Sequence, residues 1–330
     1  MAHAPLRFGI LGAAQVVAYA LVPPAQSVAD AEIVAVAARD RKRAEEFAAT
    51  HRIPRVLATY EQLIRDPDID VIYNPLPNSL HCEWSIAAMR AGKHVLCEKP
   101  IASNASQAEQ MATVARETGS LLGEAFHYRY HPLAERVRGI VRDGTLGRLT
   151  YLEGKFLVPI SQPNIRFDWS LAGGATMDLG CYPLHMLREF SGLRPRVVNA
   201  TPKIGPKNID VAMEVDLELE GGVPARVNCS MVADAQVTIA FLIRGEKGEL
   251  NIFNPVAPQM GNSLTLKTAS GEKQETVAGD ASYTCQLRAF AEAVRGNGEF
   301  PTDGDQGVFN MRVIDDVYRA AGLPVRGTDN

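Results

Sequence analysis

The first third of the chain alternates short apolar runs with segments of helical spacing. Residues 6–11 read as a strand, and a helix is expected over 14–28. A strand at 32–37 precedes a helix at 41–49; a strand at 69–73 precedes a helix at 79–91. A strand at 94–97, a helix at 106–118 and a strand at 121–124 complete the series. Continuously apolar strands separated by helices predict a doubly wound parallel sheet covered on both faces. The period then changes to two. Val211, Met213, Val215, Leu217 and Leu219 alternate with Ala212, Glu214, Asp216 and Glu218, and the pattern recurs at Ala225, Val227 and Cys229 and at Val237, Ile239, Phe241 and Ile243. Gly245-Glu246-Lys247-Gly248 predicts a hairpin turn leading to Leu250 and Ile252. Such strands suit a mostly antiparallel sheet with one face packed. Helical spacing returns at Leu287, Phe290, Ala291 and Val294, and a last helix is expected over 308–321. The predicted fold is therefore α/β: a Rossmann domain over 1–124, then an α+β domain with a large open sheet over 125–330.

Composition narrows the class. With 46% hydrophobic and 22% charged residues in 330, the chain has the balance of a folded globular protein. A net charge of −4 and the absence of a long basic tract give no footprint for nucleic acid. The cysteines, Cys82, Cys97, Cys181, Cys229 and Cys285, are scattered and odd in number, which argues against a disulfide framework or a cysteine-rich zinc site. The leading residues Met1–Pro5 carry no apolar signal core, and no apolar run is long enough to span a bilayer. No membrane association and a cytoplasmic location are expected.

Gly9-Ile10-Leu11-Gly12-Ala13-Ala14-Gln15 closes the first strand. In a Rossmann unit this turn takes the pyrophosphate, because small residues let backbone N–H groups approach it. Gly12, Ala13, Ala14 and Gln15 are the candidate phosphate contacts, although Ala14 and Val17 stand where further glycines are usual. The second strand ends in Ala38-Arg39-Asp40-Arg41. Arg39 suits a 2′-phosphate and points to NADP, while Asp40 keeps an NAD reading open. Arg41, Lys42 and Arg43 read as a solvated helix start.

Asn74-Pro75-Leu76-Pro77-Asn78-Ser79-Leu80-His81 follows the third long strand and Glu98-Lys99-Pro100 the next. Ligands of doubly wound sheets bind at these strand ends, which makes Leu76, Pro77, Asn78, His81, Glu98 and Lys99 cofactor-binding candidates. A lysine there is placed to favour a substrate alkoxide. In the second domain Gly173-Gly174-Ala175-Thr176-Met177-Asp178-Leu179-Gly180-Cys181-Tyr182 sets an acid four residues before a tyrosine. Together these stretches resemble the glucose–fructose oxidoreductase/inositol dehydrogenase/MocA family of NAD(P)-dependent dehydrogenases, over nearly the whole chain. The resemblance implies Lys99 as the catalytic cation on a cis-proline mount formed with Glu98 and Pro100. It implies Tyr182 as the proton-transfer residue, as in the branch holding glucose–fructose oxidoreductase and the dimeric dihydrodiol dehydrogenases. It also implies Arg166 and Trp169 near the nicotinamide or substrate.

The chemistry agrees with those roles. Free tyrosine titrates near about 10, too high for a base at neutral pH, and a neighbouring ammonium lowers that value. Tyr182 is thus expected as general acid/base, Lys99 as electrostatic stabiliser and Asp178 as orienting group on one helical face. His185, near that face, is a substrate-binding candidate or a packed histidine. His127 and His131 have a metal-like spacing without acidic or cysteine partners, so no metal is expected and the stretch reads as a cleft lining. The expected activity is hydride transfer between NADP and an aldose, cyclic polyol or cyclic diol. Alternatives are a non-catalytic dinucleotide sensor and a sugar–sugar oxidoreductase that recycles a tightly held cofactor. A homodimer or higher homo-oligomer joined through the open sheet is expected from its uncovered face.

Overall fold

The computed structural model describes residues 4–328. Met1–His3, part of the leading segment read above as lacking a signal core, lie outside the described residues. The described residues divide into two compact units, 4–126 with 283–309 and 127–282 with 310–328.

In the first unit, strands β1 (Leu6–Leu11), β2 (Ala31–Ala37), β3 (Arg55–Leu57), β4 (Val71–Asn74), β5 (His94–Cys97) and β6 (Leu122–Glu124) form a six-stranded sheet in the order β3-β2-β1-β4-β5-β6. Every neighbouring pair in it is parallel. Helices α3 (Arg41–His51), α4 (Tyr60–Arg65), α5 (His81–Arg90) and α6 (Ala105–Thr118) connect the strands. The order reverses between β1 and β4, the crevice where such sheets bind ligands.

The single helix expected over 14–28 is instead two short ones, α1 (Val17–Ala20) and α2 (Val22–Ser27). Leu21 leaves the helical region at φ −126°, and Pro23 and Pro24, at the start of α2, cannot supply the N–H groups that continuation would need.

Residues 283–309 pack with the first unit although the second unit's strands precede them. Phe290 lies 6.3 Å from Phe8 of β1 and 5.3 Å from Phe300, centroid to centroid. Glu124 N donates to Thr302 O at 2.7 Å, and Thr302 Oγ1 donates to Glu124 O at 2.7 Å. Two consecutive blocks read from sequence do not anticipate this return, because it rests on long-range aromatic packing.

The second unit holds helices α7 (Pro132–Arg142) and α8 (Cys181–Ser191) and strands β7 (Leu149–Leu157), β8 (Pro195–Ile204), β9 (Asp210–Leu219), β10 (Val223–Ser230), β11 (Thr238–Gly245), β12 (Gly248–Phe253), β13 (Ser263–Thr268) and β14 (Gly271–Glu275). They form one eight-stranded sheet, β14-β13-β12-β11-β7-β10-β9-β8. β7 and β10 are parallel and the other pairs antiparallel, so the expected mostly antiparallel sheet is present. The period-two residues Val215, Leu217, Val227, Phe241, Ile243, Leu250 and Ile252 are buried. Phe190 of α8 stands edge-on to Phe241 at 5.3 Å. Gly154 makes this approach possible: a Cβ there would lie 2.6 Å from Pro183 Cβ. Helices α9 (Ser282–Val294) and α10 (Gly304–Ala320) complete the chain.

Candidate active site

The glycine turn at the end of β1 has the shape a pyrophosphate requires. Gly12 has φ +84°, a conformation that favours glycine, and a Cβ on it would press on Leu76 Cδ2 at 3.0 Å. Ala13 is buried, Ala14 half-buried and Gln15 exposed. The turn is held from outside by Arg43, whose Nη2 donates to Ala13 O at 2.8 Å. Asp40 caps α3 by accepting from Arg43 N at 3.1 Å. Arg39 is exposed, and it and Arg43 both act electrostatically on the Tyr60 hydroxyl, partly offsetting the rise that burial imposes on that phenol. These residues fit a dinucleotide: a glycine cradle beside the switch point, with two guanidinium groups at the end of β2.

At the end of β4, Asn74 supports the loop that follows. Its Oδ1 accepts from Leu76 N at 3.3 Å and its Nδ2 donates to Ser85 Oγ at 3.0 Å. Leu76 is buried, while Pro77 and Asn78 are partly open. His81 is fully buried, with Nδ1 2.9 Å from Pro100 O and Nε2 2.7 Å from Leu76 O. Burial pushes its pKa down to about 4 against the pull of those two carbonyls. The ring therefore ties the loop after β4 to the loop after β5.

That second loop carries Glu98-Lys99-Pro100, and the Lys99–Pro100 bond is cis, as the resemblance implies. Tyr73 donates to Glu98 Oε1 at 2.6 Å, and Lys99 N lies 3.4 Å from Glu98 Oε2. Burial, reinforced by Glu98, holds the Tyr73 phenol well above its ordinary pKa, so it stays a donor. Glu124 Oε1 accepts from Ile101 N at 2.9 Å. Burial pushes the Glu124 carboxyl up to about 8, with Ile101 N–H and Lys99 opposing and Glu98 adding to the rise. Lys99 is half-buried and acts electrostatically on both Glu124 and His81.

In the second unit, Tyr182 sits in the first turn of α8 and is buried, with 5% of its surface exposed. Its ring meets Phe156 at 5.6 Å, His127 at 5.9 Å and Tyr128 at 6.1 Å. Its hydroxyl lies 3.2 Å from His127 Nε2. Asp178 lies in a π-helical turn, Thr176–Gly180, that runs directly into α8 and so leads to Tyr182. Such turns change the angular offset between neighbours and recur at functional sites. Asp178 Oδ2 accepts from Arg166 Nε at 2.5 Å, and Asn164 Oδ1 accepts from Arg166 Nη1 at 3.2 Å. Arg166 and Asp178 are thus brought together.

Two other candidates are engaged in packing. His185 Nδ1 lies 2.5 Å from the Tyr128 hydroxyl; burial, with Arg188 and Arg129, pushes the imidazole down to about 3. Trp169 stacks on the Arg326 guanidinium, 4.0 Å from Cζ to the ring centre, and Arg326 forms a fully buried ion pair with Asp210. His131 Nδ1 accepts from Leu133 N at 3.0 Å and caps α7. Among the described residues no group of histidine, cysteine and acidic side chains forms a metal site, and no helix is long and apolar enough to cross a membrane. The sequence reading missed Arg43, Asn74 and the position of His127 behind Tyr182.

A parallel six-stranded sheet with a glycine cradle and a lysine at the end of β5 defines a dinucleotide-dependent oxidoreductase. The profile of the "Oxidoreductase family, NAD-binding Rossmann fold" matches residues 6–126, and that of the "GFO/IDH/MocA C-terminal domain" matches residues 134–251. The chain belongs to this Gfo/Idh/MocA family and is an NAD(P)-dependent oxidoreductase. It is similar to "D-xylose 1-dehydrogenase (NADP(+)) 2" of Haloferax volcanii, 36% identical over 322 residues, covering 96% of this chain and 97% of that one. It is 35% identical over 225 residues to the trans-1,2-dihydrobenzene-1,2-diol dehydrogenase of Bos taurus, covering 68% of this chain and 67% of that one. Among solved structures, a 3-ketoreductase from Actinomadura kijaniata in complex with NADP and TDP-benzene superposes with a TM-score of 0.88 at 27% identity, over 96% of this chain and 98% of that one.

Proposed function

We propose that the protein oxidises an aldose at its anomeric carbon with NADP, with other cyclic polyols and cyclic diols as secondary substrates. The observation that carries this reading is the presence of both proton-handling groups, Lys99 on its Glu98-anchored loop and Tyr182 with its hydroxyl hydrogen-bonded, in a chain similar over nearly its whole length to a D-xylose dehydrogenase. Gly12, Ala13, Ala14, Gln15 and the loop from Leu76 to His81 would hold the dinucleotide. Arg39, assisted by Arg43, would hold its 2′-phosphate, since guanidinium suits phosphate. When bound, the dinucleotide supplies the hydride acceptor.

The chain's own residues handle the proton. Tyr182 takes the substrate hydroxyl proton, and Lys99 stabilises the developing alkoxide. Asp178 acts through Arg166, which its carboxylate holds in place for a sugar hydroxyl. The same reading makes the protein a homodimer joined through the outer face of the eight-stranded sheet. Phe253 and Leu242 on that face, among cross-strand ion pairs such as Arg226–Asp216, support it. Light scattering that gives a monomer at micromolar concentration would remove the dimer.

The test of function is a screen of D-xylose, other aldoses, inositols and cyclic diols with NADP and with NAD, followed by absorbance of the reduced cofactor. Turnover of an aldose with NADP is expected. Binding of NADP with no turnover of any of these compounds would replace the reading with a dinucleotide sensor.

A further inference from the structure

Four side chains of the second unit stand in a single file of hydrogen bonds. Tyr182 Oη is 3.2 Å from His127 Nε2, His127 Nδ1 is 2.8 Å from Ser282 Oγ, and Ser282 Oγ is 2.8 Å from Gln259 Oε1. The polarity of the file is fixed from its far end. The backbone N–H of Ser282 points at the same Gln259 Oε1 at 3.3 Å. A backbone N–H is a donor only, so the carboxamide atom facing it is the oxygen, which only accepts. Ser282 Oγ spends its one hydrogen on that oxygen. Its lone pairs are what it offers His127 Nδ1, so Nδ1 carries the proton of the neutral ring. Nε2 then turns a lone pair toward Tyr182, and the tyrosine hydroxyl donates to it.

We infer that His127 is the proton acceptor behind Tyr182. It is a positioning residue that aims the phenol hydrogen along the Oη–Nε2 line and takes that proton during turnover. The inference rests on Tyr182 as the proton-transfer group. During oxidation the carbinol C–H bond breaks, its electron pair leaving as hydride to the oxidised dinucleotide, and the C=O bond forms. The substrate hydroxyl proton passes to Tyr182 Oη as the Tyr182 proton passes to His127 Nε2. The charge gained appears as imidazolium, and its Nδ1–H stays on Ser282 Oγ. His127 is 2% exposed and Ser282 is fully buried, so this charge forms away from bulk water between two oxygen acceptors. The arrangement means Tyr182 need not exist as a free phenolate. In reduction the sequence runs backward, and the imidazolium reprotonates the phenol as the new alkoxide takes the Tyr182 proton.

The polarity is read directly by nitrogen NMR of the chain labelled at histidine ring nitrogens, with the His127 signals assigned by their loss in His127→Gln and, independently, by their shift in Tyr182→Phe. A protonated Nδ1 and a bare Nε2 at neutral pH are expected, with Ser282→Ala shifting the ring toward the other tautomer. A protonated Nε2 in the wild-type chain overturns the inference. The kinetic arm uses His127→Gln, whose carboxamide can accept from the phenol but cannot take its proton. With D-xylose and NADP, or whichever aldose the screen identifies, kcat should fall at least about tenfold, less than the roughly 10² to 10⁴ of the group that itself meets the substrate, with KM little changed and the acid limb of the pH profile altered. A His127→Gln enzyme with wild-type kcat and pH profile overturns the inference while leaving Tyr182 in its role. A wild-type chain inactive on every compound of the screen overturns the functional reading instead, and the NMR result still decides the polarity of His127.

Discussion

Tyr73 donates its hydroxyl to Glu98 Oε1 at 2.6 Å, joining the end of β4 to the residue that precedes Lys99. Both partners are buried. The bond does two things: it gives a largely buried carboxylate a donor, and it ties down the loop that carries the lysine. Tyr73→Phe should cost about 1–3 kcal/mol of stability, through loss of a buried hydrogen bond to a carboxylate. It should also lower kcat more than it raises KM, because Lys99 loses its mount. Denaturant unfolding and steady-state kinetics check the two parts; a variant unchanged in both would mean that the bond is incidental.

Arg39 and Arg43 should separate by cofactor. Arg39 is exposed just past the end of β2. Arg39→Ala should weaken NADP binding and leave NAD binding nearly unchanged. Arg43 holds Ala13 O, so Arg43→Ala should weaken both dinucleotides. Titration calorimetry with each cofactor checks this. Equal losses for NADP and NAD in Arg39→Ala would make that residue structural.

Glu124 predicts a pH dependence of stability. Its carboxyl is raised from 4.5 to about 8 in the fold, chiefly by burial. A raised carboxyl binds its proton more tightly folded than unfolded. Its contribution is complete below the unfolded value and is lost as pH rises through the folded one. Wild-type stability should therefore decline between about pH 4.5 and 8 by an amount that Glu124→Gln removes, since the amide keeps an acceptor for Ile101 N without titrating. Parallel unfolding curves for the two proteins across that range would show that Glu124 is ionised in the fold.

The Asp210–Arg326 pair is fully buried, and Arg326 Nε also donates to Gly173 O at 2.7 Å. Removing one partner strands the other charge. Arg326→Met should cost about 3–5 kcal/mol. A loss below about 1 kcal/mol would mean that water or a shift in protonation compensates Asp210.

How far the sequence could be read depended on whether a signal was local. β1 and β5 coincide with their predicted residues because a short, mostly apolar run is a property of the segment itself. β14 escaped because all its residues are exposed and no alternation marks it. The return of residues 283–309 to the first unit depends on Phe290 meeting Phe8, a contact no local pattern encodes. At the site, the residue types were visible and their geometry was not. Asp178 and Tyr182 have helical spacing in sequence, but the π-helical turn that holds Asp178 and its bond from Arg166 had no signal in the pattern. Arg43 offered a usable signal. Arg41 and Lys42 have glutamates four residues on, Glu45 and Glu46, and pair with them, whereas Arg43 has Phe47 there and reaches the glycine turn instead. His127 could be weighed only as a spaced histidine, because its partners Tyr182 and Ser282 lie far along the chain.

The central claim is that Tyr182 transfers the substrate proton. The most direct measurement is kcat of Tyr182→Phe with the aldose identified by the screen and saturating NADP, alongside NADP affinity. General acid–base groups contribute about 10² to 10⁴ in rate, so kcat should fall by at least about 10² while NADP affinity stays near wild type. A Tyr182→Phe enzyme with kcat close to wild type and only KM raised would contradict the account and leave Lys99 as the proton-transfer group.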